Sequence, residues 1–241
     1  MTDDLKIAHE KLASARRPCA LAGAGLSAES GVPTFRGAQG LWKRYRPEEL
    51  ASPAAFARDP KLVWEWYDWR RGLIAETAPN PGHRALAEIE KRCPDFWLIT
   101  QNVDGLSRLA GSRRALELHG NIWRLRCTGC AESREDRRTP LPELPPICEK
   151  CSSLLRPDIV WFGESLPPEV IGQAFTAARE ADLFLVIGTA GAVEPAASLA
   201  RLAKANGAYV VEINPDETSL SAVCDLALRG KSGEILPRLL D

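Results

Sequence analysis

The sequence lacks an excess of charge of either sign. Its 241 residues carry 31 Lys and Arg against 32 Asp and Glu, which gives a formal net charge of −1 at pH 7. A chain without a basic surplus has no overall field that would draw it to nucleic acid or to an anionic membrane. We therefore expect no specific nucleic-acid binding, and any recognition of charge must be local.

Long apolar runs are also absent. No stretch approaches the roughly 20 apolar residues that a membrane-spanning helix needs. The first 17 residues place Asp3 and Asp4 before an amphipathic helical pattern, which is unlike a signal or transit peptide. With 45% hydrophobic and 26% charged residues, the composition predicts a folded domain rather than disorder. We expect no membrane association and a cytoplasmic location.

Most of the cysteines occur in closely spaced pairs. Four of the seven cysteines form two C-x-x-C pairs, Cys127 with Cys130 and Cys148 with Cys151, separated by 17 residues. This spacing is typical of a zinc site with four thiolate ligands. Disulfides are disfavoured in a reducing compartment, and a redox centre would not need two matched pairs. Four sulfur ligands leave no position for water, so the predicted zinc is structural and a metal-dependent hydrolase is disfavoured.

The other three cysteines occur singly. They lie in apolar segments, where we expect small buried side chains: Cys19, Cys93 and Cys224.

Apolar and amphipathic segments alternate along the chain. Short apolar runs bounded by turn residues predict buried strands at 19–22, 96–100, 183–188 and 209–213. Amphipathic patterns predict helices at 4–15, 81–92, 167–180 and 195–206, the last ending before Gly207. This alternation is typical of an α/β fold with a doubly wound parallel sheet. Two stretches do not fit it, the Trp-rich 41–78 and the Cys- and Pro-rich 122–155, and we interpret them as insertions.

A glycine-rich turn follows the first predicted strand. Gly23, Gly25 and Ala28 match the G-x-G-x-x-A turn that brings bare backbone to a pyrophosphate. The motif alone does not separate a nucleotide site from a tight turn without a ligand. A usual dinucleotide site also has an acidic residue about 20 positions further on. Here residues 43–46 are Lys-Arg-Tyr-Arg, which weakens the interpretation as a dehydrogenase.

Further motifs connect the chain with a known family. The glycine turn continues to Phe35-Arg36-Gly37, and Thr100-Gln101-Asn102-Val103-Asp104 and His119-Gly120 follow in order. With the paired cysteines, these motifs resemble the sirtuin family from about Pro18 to the end. The resemblance implies an NAD-dependent protein-lysine deacylase that releases nicotinamide and O-acyl-ADP-ribose. Its partners would be acyl-lysine proteins or peptides, with NAD as co-substrate and one structural zinc.

The resemblance also implies a domain organisation. Residues 1–40, 79–121 and 156–241 would form a Rossmann-like NAD-binding domain. The helical insertion 41–78 and the zinc-ribbon insertion 122–155 would together form a smaller domain.

Histidine is scarce, and only His119 falls on a catalytic position of the family. The resemblance implies that it is the general base, since an imidazole near its usual pKa of about 6.5 accepts a hydroxyl proton at neutral pH. We expect His9 and His83 to be structural. The resemblance implies these cofactor-binding residues: Gly23, Ala24, Gly25, Ser27, Phe35, Arg36, Gln101, Asn102, Asp104, Gly188, Thr189, Ala190, Asn214 and Ser232.

The family pattern assigns parts of the cofactor to some of these residues. Asn102 and Asp104 would bind the nicotinamide carboxamide, Gln101 the ribose hydroxyls, and Phe35 would cover the ribose. Ala190 stands where the family usually has Ser, so one hydroxyl contact to the cofactor is expected to be missing.

A helix is predicted to begin at Asp59-Pro60, a good N-cap and first-turn pair. Tyr67 and Arg70 are three residues apart and share a face of this helix. The Y-x-x-R pair matches the sirtuin subgroup that removes succinyl, malonyl and glutaryl groups, in which Arg and Tyr bind the acyl carboxylate. The alternative is a surface helix with inward Trp side chains and solvated Arg residues.

The resemblance implies that the substrate peptide adds as a strand, with affinity from backbone hydrogen bonds. The residues expected to hold it are Val160, Trp161, Phe162 and Gly163. Two alternatives to a deacylase stay open at this point. One is a mono-ADP-ribosyltransferase using the same cleft, and the other is a non-catalytic NAD-sensing or zinc-ribbon binding module.

Overall fold

The computed structural model describes residues 2–34 and 47–241. Nine strands occur in these residues: β1 (Pro18–Ala22), β2 (Trp97–Thr100), β3 (Ala115–Glu117), β4 (Gly120–Cys127), β5 (Ser133–Glu135), β6 (Leu155–Ile159), β7 (Leu183–Ile187), β8 (Tyr209–Ile213) and β9 (Leu226–Leu228). Six of them form a parallel sheet in the order β3-β2-β1-β7-β8-β9.

Short and long helices connect the strands of the described residues. They are α1 (Asp3–Ser14), α2 (Gly25–Ala28), α3 (Pro47–Leu50), α4 (Pro53–Arg58), α5 (Pro60–Ala75), α6 (Pro81–Arg92), α7 (Leu106–Leu109), α8 (Pro168–Glu180), α9 (Ala196–Ala205) and α10 (Ser232–Arg238), with a 3-10 helix at Ser221–Val223. None of these helices is both long and apolar enough to cross a lipid bilayer.

Both faces of the six-stranded sheet are covered. Successive strand residues point to opposite faces, so Ala20 and Leu185 belong to one apolar cluster and Leu21 and Val186 to another. Helices α1, α6 and α10 supply apolar residues to the first cluster, and α8 and α9 to the second. The predicted doubly wound α/β fold is confirmed.

The predicted elements lie within one or two residues of the observed ones. The helix expected at 195–206 ends at Ala205, and Gly207 follows with a φ of +92°, which glycine adopts without strain. The helix expected after Asp59 begins there because the Asp59 side chain accepts a hydrogen bond from the backbone N–H of Leu62 at 2.9 Å.

A second, antiparallel sheet has the order β5-β4-β6 and packs against α3, α4 and α5 around a third apolar cluster. Helix α5 is tied to this sheet by the indole of Trp64, whose Nε1 donates to the carbonyl of Leu155 at 2.8 Å. The helical segment and the cysteine-bearing segment therefore share one core. The residue boundaries of the two domains stay a prediction.

The expectation that the three single cysteines are core residues was correct for Cys19 only. Cys19 is buried in β1, and burial raises the pKa of its thiol. Cys93 and Cys224 are half-buried, since Cys93 caps the end of α6 and Cys224 follows the 3-10 helix.

Candidate functional site

The glycine turn lies at the carboxyl end of β1 and packs directly on the end of β7. Gly23 N donates to the carbonyl of Ile187 at 2.9 Å, and Gly25 N donates to the carbonyl of Gly188 at 2.8 Å. A Cβ on Gly25 would lie 2.7 Å from the Cα of Gly188, which itself has a φ of +55°. The glycines are thus required by the contact between two chain segments. Their N–H groups are used inside the protein, which the phosphate-cradle interpretation did not anticipate.

A buried polar cluster lies beneath this turn. The Ser27 hydroxyl donates to Asp104 Oδ2 at 2.7 Å, and Asn102 Nδ2 donates to Ser27 Oγ at 3.1 Å and to the carbonyl of Gly23 at 3.0 Å. All three side chains are less than 9% exposed. Burial raises the pKa of Asp104 above its ordinary value, although the N–H of Leu106 and the Ser27 hydroxyl oppose that shift. The cluster is therefore a buried and prearranged set of amide, hydroxyl and carboxyl groups.

His83 belongs to this cluster as well. Its Nδ1 accepts a hydrogen bond from the backbone N–H of Asn80 at 3.3 Å, so Nε2 carries the proton and lies 3.3 Å from Ser27 Oγ. Burial lowers the pKa of His83 to about 4, helped by the charge of Arg84. A structural role is the expectation for His83, and its capping contact with Asn80 agrees with that role. Its contact with Ser27 was missed, because the two residues are 56 positions apart.

His119 lies just beyond β3 at the same edge of the sheet. Its Nδ1 is 3.0 Å from the carbonyl oxygen of Gln101. A carbonyl only accepts hydrogen bonds, so Nδ1 carries the proton and Nε2 carries the basic lone pair. Burial lowers the pKa of His119, and the hydrogen bond to Gln101 opposes that shift. The imidazole is therefore neutral at pH 7 and able to accept a proton.

The predicted residues of the second half of the chain join His119 through hydrogen bonds. Gln101 Nε2 donates to Thr189 Oγ1 at 2.9 Å, and Asn214 Nδ2 donates to the carbonyl of Thr189 at 3.1 Å. These residues follow β2, β7 and β8, so the carboxyl ends of three parallel strands meet here. Open α/β sheets bind ligands at this edge.

The loop at Ala190 lies against Ser219, a residue of a different chain segment. Ser219 Oγ donates to the carbonyl of Gly191 at 2.7 Å and lies 3.2 Å from the carbonyl of Ala190. A hydroxyl is therefore present beside this loop, although it comes from a different segment of the chain.

Ser232 differs from the other predicted cofactor residues. It is 4% exposed, and its Oγ has no hydrogen-bond partner in the described part of the chain. A buried hydroxyl without a partner costs free energy unless a ligand or water satisfies it. This orphaned atom fits a site that binds a polar ligand. Phe35 and Arg36 lie outside the described residues.

Tyr67 and Arg70 lie on the buried side of α5 rather than facing solvent. The guanidinium of Arg70 lies 4.9 Å from the Trp66 ring and 5.9 Å from the Tyr67 ring, and it interacts electrostatically with Asp104. Burial raises the pKa of Tyr67 to about 12 and lowers that of Arg70. The alternative of solvated arginines on a surface helix is wrong for Arg70, which is 5% exposed.

The neighbouring Arg71 has a different environment. Its Nη1 donates to the carbonyl of Ile122 at 3.1 Å, and its Nη2 donates to the carbonyls of Asp136 and Arg138. Asp136 is also its ionic partner, at 3.8 Å. Arg71 thus connects α5 to the antiparallel sheet and is part of the framework.

The segment expected to hold peptide runs from β6 towards α8. Val160 N donates to the carbonyl of His119 at 3.0 Å, and Phe162 N donates to the carbonyl of Ala51 at 2.9 Å. Trp161 is buried while Phe162 is exposed. Gly163 has a φ of +88°, and a Cβ added there would meet nothing within 4 Å. The segment therefore lies against His119 on one side and is open at Gly163.

The four paired cysteines converge on one point. Their Sγ atoms all lie within 4.8 Å of one another, with Cys127 and Cys151 at 3.4 Å and Cys130 and Cys148 at 3.7 Å. These separations exceed the roughly 2.05 Å of a disulfide. They approach the ~3.8 Å between sulfurs that a tetrahedral ion with metal–sulfur bonds of about 2.3 Å requires. The set of donors therefore fits zinc.

The backbone supports this arrangement of sulfurs. Each C-x-x-C pair is followed by a residue with positive φ, Ala131 at +57° and Ser152 at +59°. The N–H groups of Gly129 and Cys130 point at Cys127 Sγ at 3.3 and 3.4 Å. Such donors stabilise a thiolate, so the turn is built for a charged sulfur.

Fold and site together define a class of protein, an α/β enzyme that binds a nucleotide at the edge of its sheet and carries a four-cysteine metal ribbon. The sequence profile of the Sir2 family matches residues 23–195. The chain belongs to the Sir2 family, and the predicted sirtuin resemblance is confirmed.

Known proteins of high similarity agree with this assignment. The NAD-dependent protein deacylase of Aquifex aeolicus (strain VF5) is 56% identical over 221 residues, which cover 92% of this chain and 92% of the relative. A solved Sir2 homologue in complex with NAD is 49% identical, with a TM-score of 0.92 over 99% of this chain and 93% of that chain. A Sir2 variant bound to a deacetylated p53 peptide and 3′-O-acetyl ADP ribose is 30% identical, with a TM-score of 0.90 over 98% and 97%.

Proposed function

We propose that this protein is an NAD-dependent protein-lysine deacylase, which converts acyl-lysine, NAD and one water to lysine, nicotinamide and O-acyl-ADP-ribose. The observation that carries the proposal is the geometry of His119. Its Nδ1–H is held by the carbonyl of Gln101 at 3.0 Å, which leaves a neutral, basic Nε2 at the ligand-binding edge of the sheet. The activity named for the similar Aquifex protein supports the same function.

The polar residues at this edge would hold the cofactor. The amide of Asn102 and the carboxyl group of Asp104 suit the nicotinamide carboxamide, which has both donors and an acceptor. The other proposed contacts are with Gly23, Ala24, Gly25, Ser27, Phe35, Arg36, Gln101, Gly188, Thr189, Ala190, Asn214 and Ser232. NAD, when bound, supplies the ribose to which the acyl group is transferred and the nicotinamide that leaves.

His119 has the role of general base in this proposal. Its Nε2 accepts the proton of a ribose hydroxyl, and the bond from Nδ1 to Gln101 stabilises the imidazolium that forms. The buried cluster of Ser27, Asn102 and Asp104 excludes water and orients the reacting groups, which a weak nucleophile such as an amide oxygen requires.

The cysteine cluster has a structural role in this proposal. Cys127, Cys130, Cys148 and Cys151 would hold one zinc ion that joins β4 to the loops around it, with no open position for a substrate. The small domain would comprise 41–78 and 122–155, and the large one 1–40, 79–121 and 156–241.

We further propose that the acyl pocket accepts succinyl, malonyl and glutaryl groups beside acetyl. The position of Arg70 supports this. Its guanidinium lies 5.9 Å from the Tyr67 ring and interacts electrostatically with Asp104, on the proposed cofactor side. A buried guanidinium with a phenol donor beside it provides the fork and the additional hydrogen bond that a carboxylate needs.

The peptide part of the substrate would lie along Val160, Trp161, Phe162 and Gly163. The backbone of this segment is tied to His119 through Val160 N. A peptide that pairs with it is therefore placed beside the proposed base. The seven cysteines, none of them in a disulfide, suit the reducing cytoplasm that we propose as the location.

Product analysis tests the proposed function. Purified protein is incubated with isotopically labelled NAD and with acetyl or succinyl forms of one lysine peptide. We expect free lysine peptide, nicotinamide and labelled O-acyl-ADP-ribose in equal amounts, and removal of both acyl groups. Labelled ADP-ribose attached covalently to protein, without deacylated peptide, would instead indicate a mono-ADP-ribosyltransferase. Absence of any turnover would indicate a binding module.

A further inference from the structure

Arg156 and Glu164 form a largely buried ion pair behind the segment 160–163. Arg156 Nη1 donates to Glu164 Oε1 at 2.6 Å and Nη2 donates to Oε2 at 2.8 Å, while Nη2 also donates to the carbonyl of Ile159 at 2.9 Å. Two parallel bonds of this kind fix the plane of the guanidinium. Burial acts to raise the pKa of Glu164, but the bonds from Arg156 and from a backbone N–H hold it below its ordinary value. The pair is therefore ionised at neutral pH.

This pair holds Trp161 from two sides. Glu164 Oε2 accepts the backbone N–H of Trp161 at 2.8 Å, and the guanidinium carbon of Arg156 lies 3.4 Å from the centre of its ring. The ring of Phe56 packs against it with 5.3 Å between centroids. A stacked guanidinium and an anchored backbone leave the indole a single orientation.

The fixed indole in turn orients the Tyr67 hydroxyl. Trp161 Nε1 donates to the Tyr67 oxygen at 2.9 Å, the one hydrogen bond that this hydroxyl makes with the described part of the chain. Indole N–H only donates, so the Tyr67 oxygen must accept and its own proton points away from Trp161. Burial raises the pKa of Tyr67 to about 12, so the proton stays on the oxygen. That proton is available to a ligand beside Arg70.

We propose that Arg156 and Glu164 are positioning residues for acyl selectivity: they fix Trp161, which orients the Tyr67 hydroxyl as a donor to a carboxylate-bearing acyl group. The inference rests on the proposed recognition of such acyl groups by Tyr67 and Arg70. The Tyr67 hydroxyl would be held in place before the substrate binds, so that little rotational freedom is lost on binding.

A double-mutant cycle tests the inference. Arg156→Lys keeps the charge but not the fork, and Glu164→Gln keeps the shape but not the charge. The value of kcat/KM is measured for succinyl and acetyl forms of one peptide, in the wild-type and in the Tyr67→Phe background. We expect each variant to lower the succinyl-to-acetyl ratio about fivefold with Tyr67 present, the scale of one neutral hydrogen bond. In the Tyr67→Phe background the ratio should not change, because the oriented hydroxyl is gone.

The control is Arg134→Lys, which alters the ion pair between Arg134 of β5 and Glu149, of the same 2.6 Å separation, and should leave the ratio unchanged. An unchanged ratio in Arg156→Lys and Glu164→Gln, or an equal fall in both backgrounds, would overturn the inference. If neither Tyr67→Phe nor Arg70→Met changes the succinyl-to-acetyl ratio, the proposed acyl specificity is wrong. The inference that rests on it is then wrong as well.

A further variant tests the inference if Arg156→Lys and Glu164→Gln do not fold. Trp161→Phe keeps a smaller aromatic ring beside Arg156 and removes the indole N–H donor. A fall in the ratio confined to the Tyr67 background would support the inference, and a fall of the same size without the hydroxyl would contradict it.

Discussion

Two regions of this molecule gather polar and reactive side chains, and they use them in opposite ways. In the cysteine cluster, four Sγ atoms within 4.8 Å point at one another. At the edge of the six-stranded sheet, hydrogen bonds fix one end of a side chain and leave the other for a ligand. His119 Nδ1 is bound to Gln101, whereas Nε2 makes no hydrogen bond to the described residues.

The cysteine cluster therefore contributes to stability, and the edge of the six-stranded sheet contributes to the reaction. A donor set that converges on one metal ion stabilises a small sheet but has no free position, as expected of a structural site. A side chain with one anchored and one open end is prearranged for a ligand and adds little to folding. Substitutions in the first region should therefore act through the fold, and substitutions in the second through turnover.

The largest expected effect comes from the cysteine cluster. Cys127→Ala, or removal of metal with a strong chelator, should unfold the antiparallel sheet, since structural zinc binding contributes ~10–16 kcal/mol in small zinc domains. Circular dichroism melts and nicotinamide release on the same samples measure both consequences. Cys224→Ala is the matched control, a half-buried thiol outside the cluster, and should melt like wild type. Full activity in protein shown to be free of zinc would contradict the structural role.

His119→Ala should have the next largest effect, on activity alone. Loss of a general base lowers turnover by about 10²–10⁴-fold. The melting temperature and most of the NAD affinity should be kept, because His119 has a single side-chain hydrogen bond to the described residues. Single-turnover kinetics and calorimetric NAD titration separate the two quantities. If His119→Ala retained most of its activity, the assigned base would be wrong.

Stability at the sheet edge should depend on pH through His83. Its pKa is about 4 in the folded protein and about 6.5 in an unfolded chain, so the unfolded state binds the proton first as pH falls. The stability is complete above pH 6.5 and decreases through the window towards pH 4, where the loss reaches about 3 kcal/mol. Urea unfolding of wild type and His83→Asn at pH 7 and pH 4 measures the difference between the two slopes. Parallel pH dependences would show that His83 is protonated in the folded state.

The smallest expected effect belongs to Tyr67→Phe. The change deletes one neutral donor, so succinyl removal should weaken by about 1 kcal/mol, or roughly fivefold in kcat/KM. Acetyl removal offers no carboxylate to this hydroxyl and should change less. A larger loss for the acetyl peptide than for the succinyl peptide would show that Tyr67 acts on the shared lysine portion.

Much of the fold was predictable because its signals are local. The fully buried apolar runs of β1 and β7, the Asp59 cap of α5 and the two C-x-x-C pairs all depend on residues close in sequence. The half-burial of Cys93 and Cys224 was missed, since apolar neighbours do not reveal that a residue ends an element at the surface.

The site was predictable as a set of residues but not as a set of contacts. The tautomer of His119 depends on a carbonyl 18 positions away, and the bond from Trp161 to Tyr67 spans 94 positions. The use of the Gly25 N–H by Gly188 likewise requires two strands to meet. Such contacts are set by the order of strands in the sheet, which no local pattern contains.

The central claim is that the protein removes acyl groups from lysine with NAD and that Arg70 recognises a carboxylate on them. One measurement tests it directly: kcat/KM for acetyl, succinyl and glutaryl forms of one peptide, with wild type and Arg70→Met. We expect Arg70→Met to lose about 2–5 kcal/mol with the succinyl and glutaryl peptides, because their carboxylate is left unpaired in a desolvated pocket. The acetyl peptide should react as before or faster. An equal loss with all three peptides would show that Arg70 supports the fold, and it would contradict the claim.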